Sequence, residues 1–127
     1  MKYLLDTHTA IWALGDKQRL SKKVIELIDN TSLPLYVSIA SAWEIAIKMS
    51  VNKLKFHGGS EFFLNKMQEN GIRLLGVEGQ YIKQLESLPL IHRDPFDRLL
   101  IATALTEDMT LVTTDDNIHK YDVSWIW

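Results

Sequence analysis

Short apolar runs alternate with longer segments of helical periodicity along the chain, and this alternation restricts the fold more than any other feature. Strands separated by helices form parallel sheets that are covered on both faces. The sequence therefore predicts one α/β domain over residues 1–127, a three-layer α/β/α sandwich around a mainly parallel sheet of four to five strands. The predicted strands are residues 2–6, 35–38, 72–77, 110–113 and 123–126. The predicted helices are residues 9–14, 21–30, 41–50, 60–70, 79–88 and 94–108.

The composition excludes several kinds of protein. The 127 residues include no cysteine, so disulfides and thiolate-bound metals are excluded. A net charge of −2 argues against a passive nucleic-acid coat, which would be basic. The apolar run at residues 3–5 is too short for a signal peptide, and no stretch reaches the roughly 18 apolar residues of a membrane span. We therefore expect a cytoplasmic protein that has no contact with a membrane.

Two acids follow predicted strands. Asp6 ends the first strand, and Asp115 comes just after the strand at residues 110–113. Ligands bind beyond the carboxyl ends of the strands in open parallel sheets, so we expect both side chains at the same edge. Each residue alone also fits a structural role, as a helix cap at Asp6 or a polar turn at Asp115 and Asp116.

Two further acids, Glu44 and Asp97, stand near predicted helix starts. Residues 41–44 match a capping box, and residues 94–97 resemble one, with Asp94 as the cap and Pro95 in the first turn. Capping is therefore one interpretation of both acids. However, each lies in or beside an apolar helical segment, and a buried carboxylate is costly unless it is paired or bound to metal. A metal site is the other interpretation.

Four carboxylates without cysteine favour a hard cation, Mg²⁺ or Mn²⁺. The four histidines, His8, His57, His92 and His119, lack the paired spacing of a zinc site. His8 and His92 could lie near the acidic edge of the sheet, but we expect neither to be a ligand. The sequence also lacks the glycine-rich phosphate loops and the serine-nucleophile motif of other enzyme classes. The four tryptophans are expected in the core: Trp12, Trp43, Trp125 and Trp127.

Four blocks of the sequence resemble the PIN domain, and in particular the VapC-type toxins of toxin–antitoxin pairs. The blocks are residues 3–8, 38–48, 92–102 and 111–115, in the family's order and over the whole chain. The third, HRDPFDRLLIA, is the most specific. The resemblance implies an α/β/α endoribonuclease that uses Mg²⁺ or Mn²⁺, with catalytic acids at Asp6, Glu44, Asp97 and Asp115. Metal would bind Asp6, Asp97 and Asp115, with Glu44 or Asp116 as further candidates.

The same resemblance implies supporting residues and partners. Thr7, Ser41 and Thr113 would orient the acids, although Ser41 also fits a helix cap. An RNA substrate, a VapB-like antitoxin and a second copy of the chain are the implied partners. Lys48, Arg93 and Arg98 are candidate RNA contacts, and solvated or ion-paired side chains are the alternative for each.

Three other functions are alternatives to a toxin nuclease. A housekeeping RNA-processing nuclease of the same fold would have no antitoxin. A non-catalytic binding module would be expected to lack one or more of the four acids, and none is missing. A phosphohydrolase that forms an aspartyl phosphate would need an acid two residues after Asp6, where the chain has His8.

Overall fold

A computed structural model describes residues 1–30 and 32–127. Its central sheet has five strands, all paired in parallel, in the order β3-β2-β1-β4-β5. The strands are β1 (Lys2–Leu5), β2 (Leu35–Ser38), β3 (Arg73–Leu75), β4 (Met109–Val112) and β5 (Trp125–Ile126). The predicted fold class is confirmed, with five strands.

Helices cover both faces of the sheet because neighbouring strand residues point to opposite sides. The helices are α1 (Thr7–Gly15), α2 (Lys22–Asp29), α3 (Ile39–Ser50), α4 (Gly59–Glu69), α5 (Gly79–Glu86), α6 (Pro95–Glu107) and α7 (Asp116–His119). A short 3-10 helix, Lys17–Arg19, follows α1. Leu5 packs into a core with helices α1 to α4, whereas Leu4 packs on the other face with α6 and α7.

The strand order places a crevice between β1 and β4. The chain runs outward from β1 through β2 to β3 on one side, and through β4 to β5 on the other. Leu5 pairs with Val112 at the carboxyl ends of these two strands, and the Asp6 amide donates to the Val112 carbonyl at 3.2 Å. Such a reversal of strand order is where open α/β sheets bind ligands. Asp6 and Asp115 follow these two strands.

Helix α3 begins earlier than the sequence predicted. It starts at Ile39, directly after β2, and Ser38 is its cap, with Oγ accepting from the Ala40 amide at 3.0 Å. Ser41 therefore lies inside the helix, and the predicted capping box of Ser41 and Glu44 is wrong. The reason is that Ser38 already supplies the capping oxygen, so the helix needs no later start.

Two tryptophans contradict the expectation of a buried core position. Trp43 is 60% exposed and Trp125 is 44% exposed, whereas Trp12 and Trp127 are half-buried against the core.

None of the helices within residues 1–30 and 32–127 has both the length and the apolar character that a membrane span requires.

Candidate active site

The four acids predicted from the sequence line one cleft of about 380 Å³ at the carboxyl edge of the sheet. They lie on four different elements. Asp6 is at the start of α1 and Glu44 is in the body of α3, whereas Asp97 is in the first turn of α6 and Asp115 is at the start of α7. The complete lining is Asp6, His8, Trp12, Glu44, His92, Asp94, Asp97, Thr114 and Asp115. The fold therefore brings together residues that are far apart in the sequence.

Asp6 has both roles considered from the sequence. It caps α1, with Oδ1 accepting from the Thr9 amide at 2.8 Å, and its side chain faces the cleft. The residue is 5% exposed. Burial raises the pKa of Asp6, and hydrogen bonds with Thr113 and Thr9 oppose that rise only in part. A nearby cation would stabilise the charged form of this buried carboxylate.

Glu44 is buried, at 2% exposure, and is held through both oxygens. Thr7 donates from its hydroxyl to Oε1 at 2.6 Å, and Lys48 donates to Oε2. The Ser41 hydroxyl lies 2.9 Å from that of Thr7. Because a threonine hydroxyl has one proton and the carboxylate can only accept, Ser41 donates to Thr7. Thr7 and Ser41 thus fix the orientation of Glu44. Ser41 does so from inside α3 and is not the cap of that helix.

The hydrogen bond from Thr7 to Glu44 can be tested with Thr7→Val, which keeps the shape of the side chain and removes the hydroxyl. We expect the free energy of unfolding to fall by about 1–3 kcal/mol, because a buried carboxylate oxygen loses its donor. Urea denaturation at neutral pH measures the change. Ser32→Ala is a matched control, since that hydroxyl lies on an exposed turn. Equal losses in the two variants would contradict the role given to Thr7.

Asp97 lies in the first turn of α6, where burial and neighbouring acids disfavour its charge. It is the third residue of α6, and the cap of that helix is Asp94, whose Oδ1 accepts from the amides of Phe96 and Asp97. Burial raises the pKa of Asp97 to about 7, with further contributions from the negative charges of Asp94, Glu44 and Asp6. Asp94 and Pro95 therefore have the predicted helix-start roles, and the Asp97 carboxylate remains available to the cleft.

Asp115 reaches the cleft from the cap of the short helix α7. Its Oδ1 accepts from the amides of Asn117 and Ile118, and its own amide donates to the Thr113 hydroxyl at 3.1 Å. Thr113 thereby contacts both Asp115 and Asp6. The side chain of Asp116 is 98% exposed and is not part of the cleft lining. The geometry favours Asp115 over Asp116 as the fourth acid.

His92 is the residue that sequence reasoning missed. Its Nε2 lies 2.9 Å from Asp97 Oδ2 and 3.1 Å from Asp115 Oδ2, and its side chain is 13% exposed. The position of His92 in the HRDPFDRLLIA block, two residues before the cap of α6, was the available signal. His8 is exposed and lines the cleft, at 5.8 Å between ring centroids from Trp12.

The three candidate RNA contacts have different surroundings. Lys48 pairs with Glu44; burial lowers its pKa, but the hydrogen bond and charge of Glu44 outweigh this and raise it. Arg98 donates to the carbonyls of Pro89 and Leu85 and to the Tyr121 hydroxyl, so its guanidinium fixes the loop before α6. Arg93 is exposed.

The donor set fits a hard divalent cation. One carboxylate oxygen each of Asp97 and Asp115 and one ring nitrogen of His92 lie within 4.8 Å of one another, and Asp6 lines the same cleft. Carboxylate oxygens are the ligands that Mg²⁺ and Mn²⁺ prefer. Burial is the largest cause of the raised pKa values of Asp6 and Asp97, and a bound cation would offset the cost of burial to their charged forms.

The sequence and the fold are similar to those of known proteins. Residues 3–124 match the PIN domain. Ribonuclease VapC22 from Mycobacterium tuberculosis is 29% identical over 119 residues, which cover 93% of this chain and 90% of that protein. The structure of VapBC2 from Rickettsia felis bound to a promoter DNA fragment matches with a TM-score of 0.74 and 17% identity, over 99% of this chain and 98% of that one. DNA-bound VapBC from Salmonella typhimurium matches with a TM-score of 0.71 and 17% identity, over 99% and 97% of the two chains.

Proposed function

This chain belongs to the PIN domain family, and from that membership we propose that it is an endoribonuclease dependent on Mg²⁺ or Mn²⁺. The observation that carries the proposal is the meeting of four acids in one cleft, with the pKa of Asp97 raised to about 7. An enclosed group of carboxylates is unfavourable for the protein alone and favourable around a cation. The ribonuclease name of the Mycobacterium tuberculosis relative supports RNA as the substrate.

In the proposed mechanism, Asp6, Asp97 and Asp115 would hold the cation. When bound, Mg²⁺ or Mn²⁺ lowers the pKa of water and offsets negative charge on the attacked phosphate. Glu44 orients the attacking water, because Thr7 and Lys48 hold both of its oxygens in place. The water oxygen would attack phosphorus, the bond from phosphorus to the 3′-oxygen would break, and a proton released by the water would end on that oxygen, which leaves a 5′-phosphate and a 3′-hydroxyl. Of the three candidate RNA contacts, Arg93 is the one that is exposed, and we propose that it contacts the RNA backbone.

The biological role we propose is that of a cytoplasmic toxin that blocks translation and is neutralised by a VapB-like antitoxin. The solved structures that share this fold include VapBC complexes, which supports such a partner. We also propose a homodimer, as the resemblance implies. A housekeeping nuclease is the alternative, and a small neighbouring reading frame whose product inhibits cleavage would separate the two.

The test of the proposed activity is cleavage of total RNA by the purified protein. We expect cutting with Mg²⁺ or Mn²⁺, complete loss with EDTA and recovery when excess Mn²⁺ is returned. Sequencing of the fragments maps the cut sites, and ligation that requires a 5′-phosphate identifies the ends. Cleavage that continues in EDTA would contradict the metal mechanism. Absence of cleavage under every metal condition would favour a binding module.

A further inference from the structure

His92 lies between two of the acids and is the direct link between α6 and the loop after β4. One ring nitrogen, Nε2, is within hydrogen-bond distance of Oδ2 on both Asp97 and Asp115. These residues are 5 and 23 positions away in the sequence, so the three-way contact exists only in the folded chain. The second oxygen of Asp115, Oδ1, is already occupied by the capping bonds of α7. His92 therefore contacts the Asp115 oxygen that takes no part in capping α7.

The other ring nitrogen of His92 determines what Nε2 can do. The Asp94 amide donates to Nδ1 at 3.3 Å, so Nδ1 must be an acceptor. A neutral imidazole with an accepting Nδ1 carries its proton on Nε2. Nε2 is then a donor whose single proton is shared between two carboxylates, and it has no free lone pair with which to bind a cation.

The backbone of His92 is held as firmly as its ring. The Tyr121 hydroxyl accepts from the amides of His92 at 2.8 Å and Ile91 at 3.1 Å, and it donates to the Pro89 carbonyl at 2.8 Å. Tyr121 is 6% exposed. The segment before α6 is thus wrapped around one buried phenol. A residue held at both backbone and ring is suited to hold other groups in position.

We propose that His92 is a positioning residue of the metal site, which donates from Nε2 to Asp97 and Asp115 and does not itself bind the cation. The inference rests on the proposed function, since it concerns the same site. Each carboxylate oxygen has two lone pairs, so accepting from His92 leaves one free toward a cation. Hydrogen-bonding partners of metal-binding carboxylates are typically needed for full metal affinity.

Calorimetric binding of Mn²⁺ to the complete protein tests this role. We expect His92→Leu to weaken Mn²⁺ binding by about 10–100-fold, the usual effect of losing such a partner. His92→Gln is the conservative variant, because its amide nitrogen can donate from nearly the same place, and it should bind within a few-fold of the unaltered protein. Tyr121→Phe should weaken binding by a smaller factor than His92→Leu. His57→Leu, which removes an exposed imidazole outside the acid cleft, is the control and should change nothing.

Pulsed electron paramagnetic resonance of the Mn²⁺-loaded, unaltered protein distinguishes positioning from ligation without any substitution. We expect no directly coordinated nitrogen. A strong coupling to an imidazole nitrogen would overturn the proposal and make His92 a ligand. Unchanged or tighter Mn²⁺ binding by folded His92→Leu would overturn it as well. Failure of the unaltered protein to bind Mn²⁺ would defeat the proposed metal-dependent function and this inference with it. If the unaltered protein binds Mn²⁺ and substitution of His92 does not change that binding, the inference about His92 is wrong and the proposed function stands.

Discussion

Asp97→Asn is expected to lower the rate of RNA cleavage with Mg²⁺ or Mn²⁺ by at least about 100-fold, which exceeds the usual effect of losing an outer partner of a metal site. Asparagine keeps the shape of the side chain and loses the charge. The helix start would survive, because Asp94 caps α6 and the Asp97 carboxylate contacts His92 instead of a helix amide. The loss would therefore report on the cleft and not on the helix. Initial rates on a defined RNA at saturating metal measure it.

The same substitution should raise the stability of the metal-free protein above about pH 7, because it removes a charge that burial and three neighbouring carboxylates disfavour. Asp116→Asn is the matched control: the same change at a fully solvated neighbouring acid should alter neither cleavage nor stability. Cleavage by Asp97→Asn at the unaltered rate would refute the metal-ligand assignment. A large loss in Asp116→Asn would indicate that Asp116 is the fourth acid.

Much of the fold follows from local pattern in the sequence. Apolar strands separated by amphipathic helices predict a parallel sheet, and the pairing of β1 with β4 then brings Asp6 near Asp115. Helix starts are harder to locate because several side chains can serve as a cap. Ser38 and Ser41 both fit before the same apolar run, and only the direct passage from β2 into α3 favours Ser38. Helix α7 has four residues, too few to show a helical period.

The acids were easier to predict than the groups that hold them. A carboxylate inside an apolar segment, such as Glu44, stands out because its burial needs an explanation. His92 does not stand out, since its role depends on Asp115, which is distant in the sequence and reaches it through the packing of α6 beside β4. Trp43 shows the opposite error. Its apolar neighbours suggested a core position, but Ile39, Trp43 and Ile47 form an exposed stripe along α3.

Binding of Mn²⁺ is expected to raise the melting temperature strongly near neutral pH and weakly in acid. At about 100 times its Kd, a ligand specific to the folded state adds about 2.7 kcal/mol to the free energy of unfolding. For a domain of this size that corresponds to a rise of about 10 °C. Protons compete with the cation for the Asp97 carboxylate, whose pKa is raised to about 7, so the rise should shrink toward about pH 5.

Without metal, the change of protein stability with pH has the opposite sign. An unfolded aspartate loses its proton near its ordinary pKa of 3.8, whereas folded Asp97 keeps its proton up to about pH 7. Between these values the folded state binds more protons, so stability falls as pH rises. The raised pKa of Asp6 acts in the same direction.

Thermal unfolding between about pH 4 and pH 7, with Mn²⁺ and with EDTA, should show two curves of melting temperature that diverge as pH increases. In Asp97→Asn the EDTA curve should fall less steeply and the curves should diverge less. Curves that stay parallel in the unaltered protein would show that metal binding does not depend on the ionisation of these acids.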